Sequence, residues 1–196
     1  MKVPIEISAH HFHATKADFL TLFGDCEPKI IKNLSQKGQF SSDKVAKAVT
    51  DSGEISLRFL GPFREQTQVE LTKTDAYKLK IDLPISESVC KINNEGCQSC
   101  GQGAEITLIG PIGSLRKKAA IAAKRHLHIN DHKAEKLKIK NNQMLKLKVG
   151  GPRSLIFNQI LARVSSEFDF QIHLDTDEAN AAGISTGDYG ELVLED

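Results

Sequence analysis

Four stretches of the chain alternate apolar and polar residues with a period of two: ISLRFLGP (55–62), EITLIGP (105–111), LKLKVGGP (145–152) and the terminal GELVLED. Alternation of this kind predicts half-buried strands, and Gly-Pro closes the first three as a turn. A second phrase occurs four times. A short strand-like run reaches a good helix-capping residue, then a brief helix: EISAHHFH before Thr15, TQVEL before Thr72, KRHLHI before Asn130 and FQIHL before Asp175. Thr15 with Asp18 makes a start resembling a capping box. Many short strands, few and short helices, and a unit used four times predict a mainly β fold with short α-helices: two similar β-barrel domains built from repeated strand–cap–helix units. The expected division is residues 1–85 for the first barrel and 86–196 for the second, which starts with a cysteine-containing loop. Exchange of strands between the two is left open.

Composition narrows the class. With 196 residues, 40% of them hydrophobic, the chain is long enough for real cores. Its 26 basic and 25 acidic residues nearly cancel, so no overall field recruits nucleic acid or an anionic membrane. No apolar run reaches membrane-spanning length, and MKVPIEIS lacks the layout of a signal peptide. The expectation is a cytoplasmic protein whose four cysteines, Cys26, Cys90, Cys97 and Cys100, are reduced.

Aligning the four units on their caps exposes the chemistry. Two residues before each cap stand His13, Glu70, His128 and His173; four residues before stand His11, Gln68, His126 and Gln171. Residues two apart on a strand share a face, so His11 with His13, and His126 with His128, each address one point. If the fold gathers these strand ends, five imidazoles and one carboxylate meet, a donor set suited to two neighbouring divalent metals such as zinc. Each following helix would present free N–H groups and its positive end to an anion. Arg64, six residues before Glu70, has the planar fork to clamp phosphate.

SAHHFH, GPFREQTQVE, KRHLHI and IHLDTDEANAAG, in this order and spacing, resemble the phosphate propanoyltransferase family of the PduL type, almost end to end. That resemblance implies a reversible conversion of acyl-CoA and inorganic phosphate into acyl phosphate and CoA. It also implies two metal ions, usually zinc, in a site between two β-barrels. His11, His13 and His173 would hold the ion that meets the CoA sulfur; Glu70, His126 and His128 would hold the other; and Arg64 would contact phosphate. Lys124 and Arg125, beside Lys117 and Lys118, are candidate CoA contacts. Direct attack of phosphate is expected, because no cysteine or serine sits in an evident nucleophile–base arrangement.

Some residues depart from the family pattern. His10 stands where an arginine or lysine is usual, and residues 86–103 replace a segment that usually carries Ser-Gly-Asp after Leu83-Pro84. The Cys97-x-x-Cys100 pair in that loop suits a metal or a disulfide, with no obvious fourth ligand. His132 is left outside the metal set. The chain starts almost at its first strand, without the amphipathic extension of microcompartment-packed relatives, so a free enzyme is expected; a homodimer and association with a shell stay open. The same donor set would serve a binuclear thioester or phosphoester hydrolase, and a non-catalytic barrel with structural zinc is the remaining alternative.

Overall fold

A computed structural model describes residues 1–24, 27–88 and 103–193, with one short backbone ladder at Ile92–Asn93 and Gly96–Cys97. The expectations for Cys26, Cys90, Cys100 and the Cys97 side chain lie outside the described residues. Among the described residues no helix is long and apolar enough to cross a membrane.

The protein is mainly β and forms two compact units, one of residues 10–123 and one of residues 1–9 with 124–196. Strand β1 (Lys2–Ser8) belongs to the second. The first contains β2 (His11–His13), α1 (Lys16–Phe23), β3 (Ile30–Asn33), β4 (Phe40–Thr50), β5 (Gly53–Gly61), β6 (Gln68–Glu70) and α2 (Lys73–Leu79). It continues with β7 (Ile85–Ser86), β8 (Ile92–Asn93), β9 (Gly96–Cys97), β10 (Ala104–Ile109) and β11 (Ser114–Ala123). Six of its strands close a ring in the order β2, β5, β4, β10, β11, β6.

The second unit contains β12 (His126–Ile129), α3 (Asp131–Lys136), β13 (Met144–Val149), β14 (Leu155–Val164), β15 (Gln171–Asp175), α4 (Thr176–Ala182) and β16 (Tyr189–Val193). Its ring runs β12, β14, β13, β16, β1, β15. The two rings have the same plan. β2 and β12 each have a parallel neighbour, β5 or β14, and an antiparallel one, β6 or β15. β11 lies parallel to β6 as β1 lies parallel to β15. Each of β1 and β11 thus completes one barrel while directly preceding, in the chain, the first histidine strand of the other. The repeats exchange their leading strands. The units therefore change hands after residues 9 and 123, away from the boundary expected near residue 85. Alternation marks a strand but carries no record of its partner, and β10 and β11 close the first barrel by pairing with β4 and β6 far back in the chain.

All four capping residues do what their chemistry predicts. The side chains of Thr15, Thr72, Asn130 and Asp175 accept hydrogen bonds from the backbone N–H three residues on. Thr72 with Asp75, and Asp175 with Glu178, form complete capping boxes. The helix α4 stops at Gly183, whose φ of 67° suits a residue without a side chain. Inside each barrel, alternation sets the core. Ile55, Leu57 and Phe59 of β5 point inward, and Phe12, Phe19, Phe23 and Phe59 make the first core rich in aromatic rings. The second core is aliphatic, with Val3, Ile5, Leu127, Ile129, Leu147 and Leu192 among its members.

Candidate active site

The His-x-His strands are short, and their middle residues decide the direction of the rest. Phe12 enters the first core and Leu127 with Ile129 the second, so His11, His13, His126 and His128 point off the core face of their own barrels. They are nonetheless buried, as are Glu70 and His173. Six ionisable side chains removed from water need partners or a ligand.

Register brings them into two groups. In the first unit β2 and β6 place Glu70 directly opposite His11, with Oε2 3.5 Å from His11 Nε2 and Oε1 3.9 Å from His13 Nε2. In the second unit β12 and β15 place His173 opposite His126; these rings stack with centroids 4.8 Å apart, and His128 lies 4.5 Å from His173. In each group the donor atoms all lie within 4.8 Å of one another. Ligands about 2.1 Å from a tetrahedral zinc stand roughly 3.4 Å apart, so small side-chain rotations would close either group on an ion. The resemblance divides the ligands differently, taking each set from both units. In the structure Glu70 accompanies His11 and His13, and His173 accompanies His126 and His128.

Protonation favours ligation. His13 Nδ1 is 2.8 Å from Leu60 O and His126 Nδ1 is 2.8 Å from Lys124 O. A carbonyl oxygen only accepts, so each Nδ1 carries a proton, and in the neutral ring the lone pair is then on Nε2. Burial, then the charges of Arg64 and His11, push His13 well below the usual imidazole range. Burial, then His173, His126 and Arg163, do the same to His128. Both ring nitrogens of His128 are buried without a hydrogen-bond partner among the described residues. Such nitrogens are costly unless something else takes the lone pair, and a metal ion would. Burial alone would raise the Glu70 carboxyl, but the charge and hydrogen bond of His11, with Arg64 nearby, outweigh it and hold the group ionised. Three imidazoles in one group, and two imidazoles with a carboxylate in the other, are donor sets that fit divalent zinc.

Arg64 lies at the first group. Its backbone N–H donates to Ala14 O at 2.9 Å and its guanidinium to Ser88 O at 2.8 Å, while its charge acts on His13 and Glu70. The loop carrying it is tied down further: Thr67 Oγ1 accepts from Thr15 N and donates to Asp18, which also pairs with Lys117. The helix ends contribute less to an anion than their dipoles promised, because each N-cap side chain already occupies one of the free N–H groups.

Other sequence candidates have different surroundings. Arg125 pairs with Glu178 at 2.5 Å, donates to Asn158 O and lies over the Phe157 ring, so it fastens β12 to α4 and β14. Lys124 contributes its carbonyl to His126. His10 is 3.3 Å from Asp75, and His132 is exposed on α3, outside both groups. Linear reading passed over Phe168, stacked on His128 at 3.9 Å, and Arg163, whose guanidinium lies over the Phe168 ring at 5.6 Å from its centroid. Arg163 faces His128 across the β12–β14 ladder, a relation that only register creates.

Comparison with known proteins shows the family. Residues 4–185 match the phosphate propanoyltransferase family. The chain is 38% identical over 193 residues to the phosphate propanoyltransferase of Thermotoga maritima, covering 96% of this chain and 88% of that one. It is 41% identical over 195 residues to that of Priestia megaterium (98% and 86% covered) and 34% identical over 195 residues to that of Alkaliphilus metalliredigens (98% and 88%). The chain belongs to the phosphate propanoyltransferase family of acyltransferases.

Proposed function

We propose that the protein is a phosphotransacylase that reversibly converts a short-chain acyl-CoA, propanoyl-CoA or acetyl-CoA, and inorganic phosphate into acyl phosphate and CoA. The observation that carries this reading is the pair of buried donor groups, with the unpartnered nitrogens of His128 in one and the ionised Glu70 in the other, in a chain of this family. One divalent ion, zinc by the chemistry of its donors, would be held by His11, His13 and Glu70, and a second by His126, His128 and His173. Such ions supply Lewis-acid stabilisation of the CoA sulfur and of the charge that develops on the acyl carbonyl oxygen.

The residues of the chain do the positioning. Arg64, braced by Ala14 O and Ser88 O, presents its fork to two phosphate oxygens and lowers the cost of bringing a dianion beside Glu70. Phosphate needs little activation near neutral pH, so holding one oxygen against the thioester carbon is the main demand. The new P–O–C bond forms as the carbonyl carbon becomes tetrahedral; the C–S bond then breaks and CoA leaves as thiolate. His13 and His126, locked as Nδ1–H tautomers by backbone carbonyls, keep their rings fixed through the cycle. Lys124, two residues before β12, is proposed to meet the phosphates of CoA. Arg125, committed to Glu178, holds that strand in place.

Thiol release from acetyl-CoA and propanoyl-CoA, with and without phosphate, and with hydroxylamine present to trap acyl phosphate, tests the reading. Phosphate-dependent release with trapped product is expected, and should vanish in His126→Ala. Thiol release without phosphate would make the protein a hydrolase.

A further inference from the structure

The two donor groups differ at one register position. His173 stands opposite His126 where Glu70 stands opposite His11, so the position that holds a carboxylate in the first group holds an imidazole in the second. A carboxylate does lie on the adjoining strand. Glu6 of β1 is the direct neighbour of His173 across the parallel β1–β15 ladder, and its Oε2 is 4.0 Å from His173 Nδ1. The equivalent neighbour of Glu70 in the other barrel is Ile121 of β11. A carboxylate thus stands on β6 in one barrel and on β1 in the other.

Direction assigns the task. Val3 and Ile5 of β1 and Ile172 and Leu174 of β15 enter the core, so Glu6 and His173 share the opposite face. His173 is 9% exposed at its side chain and Glu6 21%, leaving the carboxylate at the edge of the buried group. It addresses the Nδ1 edge of the ring, and the opposite edge, Nε2, is buried. In His13 and His126 the same edge, Nδ1, is taken by a backbone carbonyl.

We propose that Glu6 is a positioning residue for His173: its carboxylate accepts a hydrogen bond from Nδ1–H, fixes the tautomer with a lone pair on Nε2, and makes that nitrogen a stronger donor. The gap of 4.0 Å closes with a modest side-chain adjustment or one bridging water. Partners of this kind orient metal-bound imidazoles, and their loss weakens metal binding about 10- to 100-fold. The inference rests on the metal reading above and adds a residue that reading does not contain. It also gives the strand exchange a chemical consequence, since β1 brings this carboxylate to a barrel whose other strands come from the far end of the chain.

The test is a two-site titration of the metal-free full chain with cobalt(II) against a chromophoric chelator, with the visible spectrum recorded at each step, for the wild type, Glu6→Gln and Glu6→Ala. Wild type should take two ions per chain. In Glu6→Ala one ion should bind about 10- to 100-fold more weakly with an altered spectrum while the other is unchanged, and Glu6→Gln, which keeps an acceptor, should fall between. In the His173→Gln background, Glu6→Ala should add no further loss at that site. Two ions bound with wild-type affinity and spectrum in both Glu6 variants would overturn the role of Glu6 alone. A wild type that takes no ion at the three-histidine group would overturn this role together with the metal reading.

Discussion

Glu70 faces His11 across the β2–β6 ladder, its Oε2 3.5 Å from His11 Nε2 and its other oxygen 3.9 Å from His13 Nε2. A buried carboxylate held ionised between two imidazoles is poised to share its charge with a cation. Glu70→Gln keeps the shape and removes the charge. We expect metal content, read by elemental analysis after desalting, to fall from two ions per chain to one, with acyl phosphate formation reduced at least about 100-fold. Two retained ions would remove Glu70 from the ligand set.

Arg64 should act on phosphate and leave CoA nearly untouched. A charge-assisted hydrogen bond contributes about 1.5–3 kcal/mol, so Arg64→Ala should raise the KM for phosphate roughly 10- to 150-fold. The KM for acyl-CoA should change by less than about threefold. Arg64→Lys should recover little, because an ammonium cannot span two oxygens from this braced position. Steady-state kinetics with each substrate varied in turn decides the matter.

The metal-free chain should be acid-sensitive near neutrality. His13 and His128 are held neutral, with folded pKa values depressed below about 6.5, the value in the unfolded chain. Below that pH the unfolded chain binds protons that the folded one refuses, so the stability present above about 6.5 is lost as pH falls. Between pH 7.5 and 5.5 each histidine should cost about 1 kcal/mol. Urea unfolding of the chelator-treated protein at the two pH values measures it, and His128→Gln should reduce the difference.

Phe59 joins the aromatic members of the first core, its ring centroid 4.9 Å from Phe19, 5.5 Å from Phe12 and 5.6 Å from Phe63. Phe59→Ala should destabilise that unit by about 3–5 kcal/mol in urea unfolding. Since Phe63 leads into Arg64, the same change should also weaken phosphate binding. A loss of stability with unchanged phosphate kinetics would show that Ala14 O and Ser88 O hold Arg64 without the rings behind it.

Much of the protein is local and was therefore legible along the chain. Strand alternation depends on neighbours two apart and capping on residues three apart, so the strands, the four caps at Thr15, Thr72, Asn130 and Asp175, and the shared face of each His-x-His pair follow from short-range chemistry. The family likewise rests on motifs readable in order. Tertiary structure decided everything that depends on which strand lies beside which. The exchange of β1 and β11, the company of Glu70 with His11 and of His173 with His126, and the approach of Glu6 and Arg163 are matters of pairing and register between segments far apart in the chain, 167 positions for Glu6 and His173. Periodicity carries no address for a partner. Only closure of the two rings, driven by burial of Phe12, Leu127 and their neighbours, turned the histidines outward into two dry groups where their protons and charges are controlled.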